Sequence, residues 1–328
     1  MILASFRERK PFPGQDPFVV PHDGAYLLIQ TVHNDRRIVI KRFADLDRMD
    51  RNTSTVIWKP LRGSRRGRQL WAPELHEIDG RWYVYYAASD GQNENHRMYG
   101  LEADHPLGPY HSLGQIRDPR HDTWAIDMTV LQHEGRLYAV WSGWDDAHDG
   151  FPQHLYIAPM ADPGTISGER VRISSPEYDW EMRVAALNEG PQILRNDVDG
   201  KLFIAFSADA SWSPEYKMGL LEWTGGSVLD PSAWKKLPHP ILTGGGHGCF
   251  IEAAGRRHFV YHRKLSGDPG WADREIRAEP FTWDDNGYPL IASQRNIAVL
   301  QLDPDSPEAV SPAYEQGGVQ MFGTRIPA

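Results

Sequence analysis

One short theme recurs along this chain and constrains its fold more than any other feature. It is a polar residue, a glycine, and then alternating aromatic and aliphatic residues. It occurs as His22-Asp23-Gly24 before Ala25-Tyr26-Leu27-Leu28-Ile29 and as Ile78-Asp79-Gly80 before Arg81-Trp82-Tyr83-Val84-Tyr85-Tyr86. It returns as His133-Glu134-Gly135 before Arg136-Leu137-Tyr138-Ala139-Val140-Trp141 and as Val198-Asp199-Gly200 before Lys201-Leu202-Phe203-Ile204-Ala205-Phe206. The last copy is Ala254-Gly255 before Arg256-Arg257-His258-Phe259-Val260-Tyr261-His262. A glycine between two β-prone runs marks a hairpin, because it supplies the positive φ of a tight turn. Successive glycines are 56, 55, 65 and 55 residues apart, and each interval has room for about four short strands. The pattern predicts an all-β, five-bladed β-propeller, since a sheet of about twenty strands would not stay open, and closing the ring hides the edges. The whole of 1–328 reads as one catalytic domain, with blades near 11–65, 66–120, 121–180, 181–240 and 241–300 and a tail at 303–328. Tyr288–Ala292 and Asn296–Leu300 are expected to finish the fifth blade and pack across the ring joint.

Composition removes several function classes. The balance of 35 basic against 44 acidic residues gives a net charge of −9, the wrong sign for a nucleic-acid partner. A lone cysteine, Cys249, cannot make an internal disulfide. No apolar stretch is long enough to span a membrane. The first ten residues lack the apolar run of a secretory signal, so the expected location is cytoplasmic. The oligomeric state is not legible. His-Glu-x-x-His spacing, paired cysteine ligands and a Gly-x-Ser-x-Gly elbow are all absent, which argues against a zinc or serine enzyme. Leu61–Gln69, with Arg62, Arg65, Arg66 and Arg68, and the polar stretch Asp145–Gln153 read as surface loops.

The chemistry is expected upstream of the hairpins. In a propeller the first strand of each blade lines the central channel, so residues just before each hairpin can share one cavity. Asp16, Asp127 and His247 lie eight residues before their glycines, Glu74 lies six before and Glu189 eleven before. Buried unpaired charge is costly, so a polar group at every blade entry points to function. Carboxylates on a stiff scaffold, among 12 Trp and 13 Tyr, suit glycoside hydrolysis, in which one carboxylic acid protonates the leaving oxygen and another activates water.

At this point residues 11 to about 293 resemble glycoside hydrolase family 43, five-bladed propellers that cleave arabinose and xylose linkages by inversion. Gln15-Asp16-Pro17-Phe18-Val19 is similar to the family's opening segment, and Trp71-Ala72-Pro73-Glu74 to its blade-two motif. Ala125-Ile126-Asp127 and Asn188-Glu189-Gly190-Pro191 are similar to its two further acidic segments, and Gly246-His247-Gly248 to its axial histidine. Asp273-Arg274-Glu275, then Glu279-Pro280-Phe281-Thr282-Trp283-Asp284 and Gly287-Tyr288-Pro289, is similar to the closing motif. Arg117-Asp118-Pro119 matches a tripeptide of related fructan-cleaving propellers, but their other motifs are missing, and Asp118 reads as a loop residue.

The resemblance implies Asp16 as general base, Glu189 as general acid and Asp127 as the group that tunes and orients the acid. It implies Trp71 as a stacking wall, and Arg274 and His247 as residues of the sugar pocket. No cofactor is implied as required; a structural calcium or sodium ion, or a water, is implied on the ring axis facing His247. The implied substrate is an arabinose- or xylose-containing oligosaccharide. An exo-acting α-L-arabinofuranosidase is favoured, because typical β-xylosidases of the family carry an extra β-sandwich and because Tyr178-Asp179-Trp180-Glu181 resembles the arabinofuranosidase branch. β-Xylosidase, endo-arabinanase and a non-catalytic glycan-binding propeller are the alternatives.

Overall fold

A computed structural model describes residues 12–32, 36–61, 63–145, 150–268 and 270–294. The described chain forms five antiparallel sheets and no α-helix. The innermost strands are Gln15–His22, Arg68–Ile78, Ala125–His133, Asn188–Arg195 and Gly246–Ala253. Each pairs with the strand that follows its hairpin, giving the five-bladed propeller the repeat predicts.

The hairpins form for the reason their sequence suggests. Asp23-Gly24, Asp79-Gly80, Glu134-Gly135 and Ala254-Gly255 all have positive φ at both turn residues, the twist-matched geometry of a two-residue turn. Blade four departs from this. Its strands close at Arg195↔Leu202, and Asn196 holds the longer loop by accepting from the Val198 amide at 2.8 Å. That loop supplies only a small part of the one long interval; the rest lies between Gly143 and Asn188, where blade three carries a longer outer segment that includes the Asp179–Glu181 turn.

Hydrophobic alternation then glues blade to blade. Leu27, Ile29 and Ile40 pack with Leu75, Val84 and Leu101 between blades one and two. Met128, Ala139 and Trp141 meet Tyr83 and Tyr85 between blades two and three. Similar clusters fill the other three junctions, so each of these five apolar clusters belongs to a pair of neighbouring blades rather than to one sheet. Removing this apolar surface from water is the main stabilising term.

The ring joint differs from expectation. Phe12–Pro13, from the start of the described chain, pairs with Arg274–Trp283 of blade five and closes the circle. On the C-terminal side only Pro289–Ile291 adds to that strand, while Asn296–Leu300 and the tail lie outside the described residues. The N-terminal segment carries no copy of the repeat, so the repeat pattern could not reveal the closure.

Candidate active site

The same local distortion occurs in all five inner strands. Register breaks fall between Gln15 and Phe18, Trp71 and Glu74, Ile126 and Thr129, Glu189 and Gln192, and Gly246 and Gly248. At each break one extra residue is inserted, and that residue has positive φ: Asp16 50°, Ala72 41°, Asp127 58°, Gly190 53° and His247 45°. Asp, His and Gly tolerate this left-handed conformation better than most residues, and a bulge re-aims the side chain that it carries. The bulge positions correct one sequence expectation. The residues equivalent to Asp16, Asp127 and His247 are Ala72 and Gly190, not Glu74 and Glu189. Glu189 sits one residue before its bulge, opposite Ser207, and Glu74 sits two residues after its own.

A ring of hydrogen bonds between blades supports the bulges. The residue opposite each strand just before its bulge falls seven positions after the hairpin glycine: Thr31, Ala87, Ser142, Ser207 and His262. Thr31 Oγ1 accepts the bulge amide of Ala72 at 2.6 Å, and Ser207 Oγ accepts that of His247 at 2.7 Å. His262 Nδ1 accepts the amide of Asp16 at 3.1 Å. Ser142 Oγ donates to the Asn188 carbonyl at 2.8 Å, while the Gly190 amide is taken by Asp127 Oδ2 at 3.1 Å. Blade two has Ala87 at this position, which has no side-chain group to offer.

Through these bulges Asp16, Asp127 and Glu189 come to one place, around His247. The His247 Nδ1 lies 3.5 Å from Asp16 Oδ1 and 3.9 Å from Asp127 Oδ2. Its ring lies against Gly190, where an added Cβ would come within 2.9 Å of it. Asp16 also faces His262 Nδ1 at 3.4 Å and Arg274 Nη1 at 3.9 Å. Glu189 Oε1 accepts the Tyr216 hydroxyl at 2.8 Å.

The surroundings push these groups in different directions. Burial alone would raise the Asp16 carboxyl, but His247, His262, Arg274 and a hydrogen bond from Thr31 outweigh it and hold its pKa below the ordinary value. Burial pushes Asp127 up to about 8, against the pull of His247, and nearby Glu189 and Asp16 add to the rise. Glu189 is raised by burial as well, with His247 and the Tyr216 hydrogen bond opposing and Asp16 reinforcing. Burial would lower His247, but Asp127, Asp16 and Glu189 lift it overall. His262 is pushed well down by burial and by Arg274, so it stays neutral. The site thus pairs an ionised carboxylate with two carboxyls that hold a proton between them at neutral pH.

Of the other expected residues, Trp71 is half-buried, with one indole face stacked on His96 at 3.7 Å and the cluster of Trp124, Ile126 and Trp144 beside it. Arg274 is buried and packs its guanidinium on Trp271 at 4.9 Å, and its Nε and Nη2 have no partner among the described residues. Asp118 is a loop residue, as read, but a buried one: it accepts the amides of Arg120 and Arg170 and lines a separate cleft with Arg97 and His121. Of the arginine-rich loop, Arg66 is pinned to Ser112 and lies over Trp58 and Tyr99 rather than being simply solvated. Asp145 is bonded to Tyr156 and Arg172, and 146–149 lie outside the described residues.

The axis beneath His247 does not fit a directly ligated cation. Calcium takes about six to eight oxygen ligands. The one buried carboxylate there, Glu74, has Oε1 taken by Gln192 and Oε2 by His76. Among the described residues no group of three or more His, Cys, Asp or Glu could hold a metal ion.

His262, Tyr216 and Ser207 were not anticipated. His262 and Ser207 could have been found from their shared spacing after the hairpin glycine; Tyr216 lies in a loop with no such marker.

Known proteins resemble this chain over most of its length. The sequence model of Glycosyl hydrolases family 43 matches residues 10–289. An extracellular exo-α-(1→5)-L-arabinofuranosidase of Streptomyces chartreusis is 34% identical over 77% of this chain and 82% of its own length. The α-L-arabinofuranosidase 43 of Humicola insolens is 34% identical over 84% of this chain, which spans 60% of that longer protein. The crystal structure of an α-L-arabinofuranosidase from Lactobacillus brevis superposes with a TM-score of 0.78 at 34% identity, covering 84% of this chain and 93% of that one. The cytoplasmic expectation, which rested on the composition of the first ten residues alone, is overturned by the Streptomyces relative, which is named an extracellular enzyme.

Proposed function

The chain belongs to glycosyl hydrolase family 43, and from that premise we propose that it is an exo-acting, inverting α-L-arabinofuranosidase that releases arabinose from arabino- or arabinoxylo-oligosaccharides. It is a glycoside hydrolase with an arabinose-containing glycan as substrate. The observation that carries the assignment of roles is the convergence of Asp16, Asp127 and Glu189 on His247, with opposite shifts at Asp16 and at the other two.

Glu189 is the general acid. Burial keeps a proton on the Asp127–Glu189 pair at neutral pH, and Tyr216 fixes Oε1, which leaves Oε2 to protonate the leaving oxygen. Asp16 is the general base. His247, whose pKa is raised, and Arg274 keep it ionised, so it can take the proton of the attacking water. Asp127 orients the acid by binding the amide that follows Glu189, and its partial charge retards deprotonation there. Arg274, with two unpartnered donor nitrogens, is suited to sugar hydroxyls, and the open face of Trp71 to the apolar face of the ring. No step requires a cation.

The experiment is a panel of nitrophenyl glycosides together with arabino-oligosaccharides followed by proton NMR. The expected result is hydrolysis of the α-L-arabinofuranoside and not of the β-xyloside, one arabinose released at a time, with the anomeric configuration inverted in the first product. Release of xylose alone, or cleavage inside debranched arabinan, would replace this reading by one of the other family activities.

A further inference from the structure

Outside the catalytic pocket, aromatic side chains continue in an arc that no step of the reaction uses. Trp271 stands beside Trp71 at 6.5 Å, Trp212 meets Trp271 edge-on at 5.2 Å, and Phe151 follows Trp212 at 6.5 Å. These residues come from separate loops at one end of the ring. The loop carrying Trp212 is tied to the loop carrying Trp271 by the Gly270 amide, which donates to the Trp212 carbonyl at 3.1 Å. Trp212 packs its inner side on Ala185, Leu187 and Ala210, just upstream of Glu189 and beside it. Apolar surface is left in water nearby: Phe151 is 41% exposed, and Met182 and Val184, on the segment that leads to the Ala185 contact of Trp212, are 39% and 51% exposed. Contiguous exposed apolar surface beside a polar pocket is a feature of ligand grooves.

The arc has a direction relative to the chemistry. Trp271 carries Arg274, which faces Asp16, so that end adjoins the base. Trp212 precedes Tyr216 in one loop, and Tyr216 binds Glu189, so the other end adjoins the acid. The leaving oxygen must sit at the acid's proton, and the rest of the sugar chain extends from that oxygen.

We propose that Trp212 and Phe151, at the acid's end of the arc, form a stacking platform for the neutral sugar units on the leaving-group side of the bond cleaved. The inference rests on Glu189 being the acid. The apolar C–H faces of successive sugars would lie along the indole and the phenyl ring, so affinity should rise with oligosaccharide length while a single arabinose, held in the pocket, gains nothing from the platform.

The test measures binding without turnover, by titrating arabinose and arabinohexaose into the full-length Glu189→Gln protein. Adding Trp212→Ala should weaken arabinohexaose about tenfold, and Phe151→Ala about threefold, with arabinose affinity unchanged. Trp212→Phe should restore most of the loss, which separates a stacking role from a merely structural one. Unchanged arabinohexaose affinity in both alanine variants would overturn the platform, as would equal loss for arabinose and arabinohexaose. Failure of the functional reading is distinct, because it would show as unaltered protein that releases no arabinose from these oligosaccharides.

Discussion

At the scale of single residues, the site separates like groups by their surroundings. Asp16 and Asp127 occupy equivalent bulges, yet one meets two histidines and an arginine while the other meets Glu189. The consequence is a pH prediction with a definite sign. A depressed Asp16 puts the acid limb of kcat/KM below the ordinary carboxylate range, and the raised Asp127–Glu189 pair puts the alkaline limb near or above neutrality. A raised carboxyl also costs stability, progressively from its unfolded pKa up to its folded one. Asp127→Asn should therefore increase Tm relative to the parent by more at pH 8 than at pH 5, while lowering activity. Thermal melts at the two pH values check this. An increment that is equal at both, or larger at pH 5, would mean that Asp127 is not buried against a second carboxyl.

Individual elements show what could be read from the chain and what could not. The hairpin glycines predicted the blades, because a two-residue turn leaves a strong local mark. Asp16, Asp127 and Glu189 were legible from motif and offset together. The bulges are not legible, since most of these inner strands are buried on both faces and an inserted residue leaves no break in a polar–apolar alternation, so Glu74 looks equivalent to residues that it does not match. His262 hid inside the repeat as an apparent strand residue. The interblade hydrogen bonds that it exemplifies should matter energetically. Thr31→Val keeps the shape and removes the acceptor of the buried Ala72 amide, which costs about 1–3 kcal/mol. Calorimetry should show a Tm several degrees lower, and an unchanged Tm would mean that the bond contributes nothing.

For the molecule as a whole, the ring is held by five apolar junctions and by one short closing strand. That closure acts on the site as well as on the fold. Gly14 donates its amide to the carbonyl of Arg274 at 3.2 Å, and Pro13 pairs with Glu275. A variant lacking residues 1–13 should melt at lower temperature and show a higher KM with a smaller change in kcat, because it removes the pairing beside Arg274 and leaves Gly14, which holds the Arg274 carbonyl, at a free chain end. If KM is unaffected while Tm falls, Arg274 is positioned by the rest of blade five alone. On the ring's axis Glu74 is satisfied by Gln192 and His76, so on this account it ligates no ion directly. Dialysis against a chelator should accordingly leave both Tm and turnover unchanged.

The central claim is that Glu189 donates the proton and Asp16 takes one. It is tested most directly by comparing leaving groups in two variants. A nitrophenolate departs with little need of protonation, whereas a sugar alkoxide needs it. Glu189→Gln should lose about 10²–10⁴-fold in kcat on arabinobiose and far less on nitrophenyl arabinofuranoside, while Asp16→Asn should lose heavily on both. Equal losses on both substrates for Glu189→Gln, or full activity on arabinobiose, would contradict it.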